Sequence, residues 1–331
     1  MKTSLEYTLH ISIYEHDPDS MSWNKEAITG LPSTSFANKQ TVATLNDKLL
    51  LYIEENSAIK LYQNSTSNYG TWNNPNLNGL TFQQLPALVK LNILDVPQAK
   101  SQETLFTAVQ QSVYQSIDGM NWEEVSTLIA PQDYSLNKLI CGFENSLIGL
   151  FYKDGKAYLM SSKKGISAWD ENTIVEMPKE FPTENIYATE YQTSNLLSQV
   201  MIVGKAKEDA QKIIPWAYDG NSWTMLDPDT EYKSYCLTEK IGCKPALMFY
   251  NGKFYMFGDK LNFIYTTKNQ MAWYEADKKF FLPKEMELRG NYSMTIDQNQ
   301  YIWLISGGCS NPGQENNEVW CGRLNKFGYD N

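Results

Sequence analysis

Hydrophobic and polar positions in this chain alternate in short runs separated by turn-forming residues, the pattern of β-strands rather than helices. Thr41 to Leu45 is followed by the turn Asn46-Asp47, then by Lys48 to Glu55, Ala58 to Gln63 and a strand from Thr71 onward. The same inventory returns late in the chain: Pro245 to Tyr250, the turn Asn251-Gly252, Lys253 to Asp259, Asn262 to Thr267, and a strand at Trp273. Asn, Asp and Gly at these turns supply the left-handed backbone that two-residue hairpin loops require. Each set predicts four short antiparallel strands joined by tight turns.

Tryptophan marks the period of this unit. Trp23, Trp72, Trp122, Trp169, Trp223 and Trp273 are separated by 49, 50, 47, 54 and 50 residues. Their surroundings repeat as well. Ser112 to Ser116 precedes Ile117-Asp118-Gly119-Met120-Asn121-Trp122, Ala157 to Ser161 precedes a turn ending at Trp169, and Trp216 to Tyr218 precedes Asp219-Gly220-Asn221-Ser222-Trp223. Phe263 to Thr267 leads into Trp273 in the same way. A repeat near fifty residues matches a four-stranded blade, whereas β-helix coils are far shorter and sandwich strands carry no such echo. The prediction is an all-β chain: a six-bladed β-propeller of four-stranded antiparallel blades, forming one domain over residues 1–331.

A circular array has to close. The C-terminal segment offers Tyr292 to Asp297, Tyr301 to Gly308 and Glu318 to Asn325, one strand short of a blade. The N-terminus offers the strictly alternating Leu5 to Ile13 and then Trp23 in the repeat position. The two ends are therefore expected to complete one blade together, with one strand in excess.

Three stretches resemble known families. Tyr301-Ile302-Trp303-Leu304-Ile305-Ser306-Gly307-Gly308, a loop, and Asn317-Glu318-Val319-Trp320 resemble the kelch pattern of strand, Gly-Gly, loop and Trp strand. Ser116 to Trp122 is similar to the Asp-box of sialidase-type propellers, shortened by one residue between Asp and Gly, and that resemblance implies a structural turn rather than a catalytic site. The ending Val319 to Gly328, with Asp17-Pro18-Asp19-Ser20-Met21-Ser22-Trp23 and the opening strand, is similar to an uncharacterised family of propeller proteins from Gram-negative gut anaerobes. That likeness implies an exported lipoprotein of the cell envelope or outside, in the periplasm or on the outer membrane. The lipid-attachment signal, and the extra N-terminal domain of some members, are not seen in this sequence.

Composition then narrows the chemistry. The net charge is −10 and Arg289 and Arg323 are the two arginines, so no basic surface exists to neutralise phosphates and nucleic acid is excluded as a partner. No run of eighteen apolar residues is present, so no transmembrane segment is expected, and Met1 to Leu9 lacks the apolar core of a signal peptide. Two arginines cannot form the three-guanidinium clamp that the sialidase resemblance would demand. His10 and His16, the two histidines, sit close together near the N-terminus, which disfavours copper-radical chemistry and Ser-His or Cys-His catalysis. Cys141, Cys236, Cys243, Cys309 and Cys321 form no C-x-x-C pair, so no structural zinc is expected. Cys309 and Cys321 flank a loop rich in Asn, Pro and Gly; a disulfide across that hairpin is one reading and two free thiols the other.

Asp17-Pro18-Asp19 and Asp227-Pro228-Asp229-Thr230-Glu231 have oxygen ligands suited to calcium, but Asp-Pro is first a turn former. No cofactor and no metal are expected, and spacing singles out no catalytic residue. The functional expectation is a non-catalytic, monomeric binding or scaffolding propeller with a glycan or protein ligand. The alternative is a carboxylate-dependent carbohydrate-active enzyme, a glycosidase or lyase, working at the central channel. A cluster of carboxylates there with one raised pKa would favour the enzyme, and an aromatic-lined face without such a cluster would favour binding.

Overall fold

The structure is a computed structural model, and it describes residues 20–32, 40–65, 68–95, 100–193, 196–206, 215–226, 246–250, 253–257, 263–266, 273–275, 289–290, 293–297, 299, 301–309 and 316–325. The chain begins with β1 (Ser20–Lys25) and then forms five four-stranded antiparallel sheets in sequence order. The first holds β2 (Gln40–Leu45), β3 (Lys48–Glu55), β4 (Ala58–Ser65) and β5 (Asn68–Asn73). The second holds β6 (Val89–Asp95), β7 (Lys100–Val109), β8 (Ser112–Ser116) and β9 (Glu123–Glu124). The third is β10 (Ser135–Phe143), β11 (Ser146–Lys153), β12 (Lys156–Lys163) and β13 (Asp170–Glu176). The fourth is β14 (Pro182–Gln192), β15 (Ser198–Ala206), β16 (Trp216–Tyr218) and β17 (Trp223–Met225). The fifth is β18 (Ala246–Tyr250), β19 (Lys253–Phe257), β20 (Phe263–Thr266) and β21 (Trp273–Glu275).

The remaining sheet departs from the expectation of six four-stranded blades. It has five strands: β1 pairs with β25 (Asn316–Asn325), β25 with β24 (Ile302–Cys309), and both β22 (Arg289–Gly290) and β23 (Ser293–Ile296) with β24. Five sheets are therefore four-stranded blades, and this terminal sheet is assembled from both ends of the chain. β22 and β23 share one edge of β24 in a single register, from Arg289 opposite Cys309 to Ile296 opposite Ile302. The N-terminal strand of the pairing is Ser20–Lys25, with Trp23 opposite Gly322. Leu5 to Ile13, expected in that place, lies outside the described residues, as do His10, His16 and both acidic turns.

In each four-stranded sheet the first strand, and in the terminal sheet β23, lies innermost and touches its counterparts: β6 lies against β10, β10 against β14, β14 against β18, β18 against β23, and β23 against β2. The second sheet meets the first through Asn46, whose backbone N–H donates to Glu103 Oε2 at 2.6 Å. Between sheets the faces fill with apolar side chains. Leu49, Leu51, Ile53 and Trp72 pack with Trp303, Ile305 and Val319, and Phe106, Leu139, Phe151 and Trp169 fill another seam. Such burial, at about 25 cal/mol per Å² of apolar surface, is the main driving force for sheets that expose both faces when alone.

The periodic tryptophans stand at the entrance to, or within, the outermost strand of each sheet. Trp72, Trp122 and Trp169 are buried, whereas Trp23 and Trp223 are half-buried. Phe181 meets Trp223 edge-on at 5.5 Å. The Trp273 side chain lies outside the described residues.

The turn before each tryptophan also sets the spacing between sheets. Gly119, Gly165 and Gly220 have φ of +77°, +64° and +94°. A Cβ at Gly119 would meet Leu50, one at Gly165 would meet Phe106, and one at Gly220 would lie near Phe143. Each turn glycine thus abuts the preceding sheet.

The Cys309–Cys321 disulfide is not formed, and Cys321 carries a free, buried thiol. Cys321 lies opposite Trp303 in the ladder while Cys309 lies opposite Arg289. The two are offset by about 20 Å along β24 at roughly 3.3 Å per residue, beyond the reach of any disulfide.

Candidate functional site

The inner strands enclose a cavity of about 390 Å³, lined by residues from all six sheets. Its most polar stretch comes from β2, β6, β7 and β14, which contribute Thr44, Lys90, Asn92, Glu103, Thr189 and Glu190. The β6–β7 hairpin builds this wall by overshooting its own sheet. β7 pairs with β8 only as far as Leu105, but with β6 as far as Lys100. Opposite residues in this projecting ladder include Asn92 and Glu103.

Lys90 is the organising cation. Its Nζ donates to Glu103 Oε1 at 2.9 Å and lies 3.5 Å from Thr44 Oγ1. Glu103 is thereby engaged at both oxygens, by Lys90 and by the Asn46 N–H. The neighbouring β10 presents Cys141 and Gly142 to the cavity, and Gly142 lets β6 approach closely. A Cβ on Gly142 would meet the Lys90 carbonyl oxygen at 2.6 Å. Glu190 reaches the same region from β14, and its carboxylate has no hydrogen-bond partner among the described residues. Crowding by the channel wall raises its pKa above the ordinary 4.5; Lys90 opposes this and Glu144 adds to it.

The other titratable groups of the channel have structural tasks. Asp297 is buried, and accepts from the N–H groups of Asn299 and Tyr301 and from Trp303 Nε1, at 2.8, 3.0 and 3.0 Å. The Cys141 thiol is buried and pushed well above its ordinary range by burial, with Glu190 adding to the shift, which makes it a poor nucleophile. Tyr187 is pushed up to about 12 by burial. On β10, but not among the lining residues, Lys138 Nζ donates to the Thr183 carbonyl at 2.6 Å, and burial lowers its pKa against the pull of Glu184.

None of Lys90, Glu103, Tyr187, Glu190 or Phe249 stands out in the sequence. One signal was available: a charged residue interrupting the apolar first strand of a unit, as Lys90 does between Val89 and Leu91. Among the described residues no group of three or more His, Cys, Asp or Glu is placed to hold a metal ion. Arg323 is not among the lining residues; it lies over the Tyr301 ring at 5.7 Å in the terminal sheet. The Asp-box-like turn is a closed hydrogen-bond unit, in which Asp118 Oδ1 accepts from the N–H groups of Met120 and Asn121, both at 2.8 Å, and presents nothing to the channel.

Comparison with known proteins agrees with this architecture. The family model described as the DUF6242 beta propeller domain matches residues 17–331. No curated protein matches the chain. A protein from Bacteroides fragilis described as exported has a similar structure, with a TM-score of 0.51 at 10% identity over 94% of this chain and 98% of that one. AofleA from Arthrobotrys oligospora aligns with a TM-score of 0.46 at 9% identity, covering 94% of this chain and 95% of that one. An endo-arabinase from Bacteroides thetaiotaomicron aligns with a TM-score of 0.38 at 13% identity, covering 92% and 99%. At these identities the likeness concerns the fold alone.

Proposed function

We propose that this chain, which belongs to the DUF6242 beta propeller domain family, is an exported, non-catalytic binding propeller that takes a polar ligand into its central channel. One observation carries the reading: the channel is lined from all six sheets and keeps one carboxylate, Glu190, without a hydrogen-bond partner among the described residues. The other two lining carboxylates are already engaged, Glu103 by Lys90 and Asn46 and Asp297 by its own turn. Export is supported by the description of the Bacteroides fragilis protein that shares the fold, and attachment as a lipoprotein is part of the proposal. Among the described residues no helix is long and apolar enough to cross a membrane.

A second reading is favoured by a specific feature. Glu190, with its raised pKa, stands in the same lining as the ion-paired Glu103, and glycoside hydrolysis pairs a protonated carboxyl with an ionised one. Glycan-array screening of the purified chain and of Glu190→Gln separates the two. Binding that Glu190→Gln weakens, without release of product from any bound glycan, supports the binding propeller. Turnover of a bound glycan that disappears in Glu190→Gln establishes the enzyme instead.

A further inference from the structure

The channel lining is two-sided. Lys90, Asn92 and Glu103 line it from the second sheet, and Lys90 is the one cation of the lining among the described residues. Across the channel, three places further round the succession of sheets, β18 contributes Leu247 and Phe249, and Tyr187 joins them from β14. Phe249 and Tyr187 pack against the apolar cluster between β14 and β18, yet both remain only half-buried, so part of each ring borders the cavity. An aromatic wall facing a hydrogen-bonding wall suits a ligand with one apolar face and an edge of hydroxyl groups, the division a pyranose ring makes between its C–H and O–H groups. The volume, about 390 Å³, lies at the small end for ligand sites and suits a chain end rather than a long oligosaccharide.

Charge narrows the class further. Lys90 pairs with Glu103 at 2.9 Å and also attracts Glu190, which Glu144 repels; among the described residues the lining carboxylates Glu103, Glu190 and Asp297 outnumber that one cation. A ligand carboxylate would meet like charge in a partly desolvated space, which discriminates strongly against it. Resting on the channel reading above, we infer that the cavity takes a neutral hexopyranose unit, with its C–H face toward Phe249 and Tyr187 and its hydroxyls toward Asn92, Glu103 and Glu190. Uronic and sialic acids are rejected.

Calorimetric titration tests this with the methyl glycosides of glucose, galactose and mannose set against glucuronic acid and sialic acid. Variants Phe249→Leu, Glu190→Gln and Thr189→Trp accompany the unaltered chain, each first matched to it in thermal melting. At least one neutral glycoside binds, and the acidic sugars bind about tenfold more weakly or not at all. Phe249→Leu, which keeps an apolar side chain but removes the ring, weakens the neutral sugar by about tenfold. Glu190→Gln narrows the gap between neutral and acidic sugars. Acidic sugars binding as well as neutral ones, no response to Phe249→Leu, or no binding of any glycoside overturns the inference. Thr189→Trp, which fills the cavity, separates the two levels. Sugar binding that survives this plug refutes the channel site itself, whereas plug-sensitive binding of an acidic sugar refutes only the neutral-sugar class.

Discussion

At the scale of single residues, the backbone of the turns carries much of the geometry. Gly79 has φ +80°, and a Cβ there would stand 1.8 Å from the Trp122 carbonyl oxygen. The Trp122 segment is held close to this turn, because the Trp122 N–H donates to Asn78 O at 3.0 Å. Gly155 has nearly the same φ, +78°, with nothing within 4 Å. Gly155→Ala therefore costs about 1–2 kcal/mol for the left-handed backbone alone, and Gly79→Ala costs clearly more in urea denaturation. Equal losses would show that the contact with Trp122 relaxes freely. Trp122, buried against Phe82 edge-on at 5.6 Å, costs roughly 3–5 kcal/mol when replaced by Ala.

Asp118 adds a pH term. Burial raises its pKa, but hydrogen bonds from Asn121, Met120 and Ser116 outweigh this and hold it below the ordinary 3.8. A lowered carboxylate pKa stabilises the fold above the unfolded value, and that contribution is lost as pH falls through the folded value. Asp118→Asn is expected to destabilise at pH 7, with the difference from the unaltered chain shrinking below about pH 4 as both unfold more readily. A difference that stays constant from pH 7 to pH 3 would remove the charge from the explanation.

At the scale of elements, the terminal sheet holds the termini together. β1 covers the edge of β25, Lys25 Nζ meets Glu318 Oε1 at 2.5 Å, and Glu318 Oε2 accepts from Trp320 Nε1 at 3.1 Å. Gly322 gives Trp23 its place, since a Cβ there would stand 2.5 Å from the indole ring. Removing residues 1–25 strips this strand and leaves the backbone groups of β25 unpaired, an edge open to association. The truncated chain is expected to melt lower by about 5 °C or more and to self-associate in light scattering. A monomer that melts within about a degree of the full chain would show that β1 is an appendage.

At the scale of the whole molecule, sheets arranged around a channel leave chemistry to the inner strands, and Arg323 stands elsewhere. Arg323 is exposed on β25 and Arg289 lies on β22 opposite Cys309. No other side chain offers a permanent planar cation for a carboxylate clamp. No sialidase activity is expected: fluorophore release from a sialoside should not exceed that of heat-killed protein, and release abolished by altering Arg289 would contradict the site described above.

The strands, the turns and the unit near fifty residues were legible in the chain because they depend on neighbours in sequence. Period-two alternation, Asn-Asp and Asp-Gly at left-handed turns, and a tryptophan at or in each outer strand are local features. Lys48–Glu55 and Ser112–Ser116 fall where the pattern predicts them. The site was not legible, because the Lys90–Glu103 pair, Glu190 and Phe249 come from three different sheets and share a cavity only when those sheets pack around it. The identity of the N-terminal strand, Ser20–Lys25, and the offset that keeps Cys309 from Cys321 follow from ladder register, which is set by pairing between distant segments. Local pattern thus determines what each segment becomes. Long-range packing alone decides which side chains share a cavity, because the contacts that settle it join residues whose separation along the chain carries no trace of their distance in space.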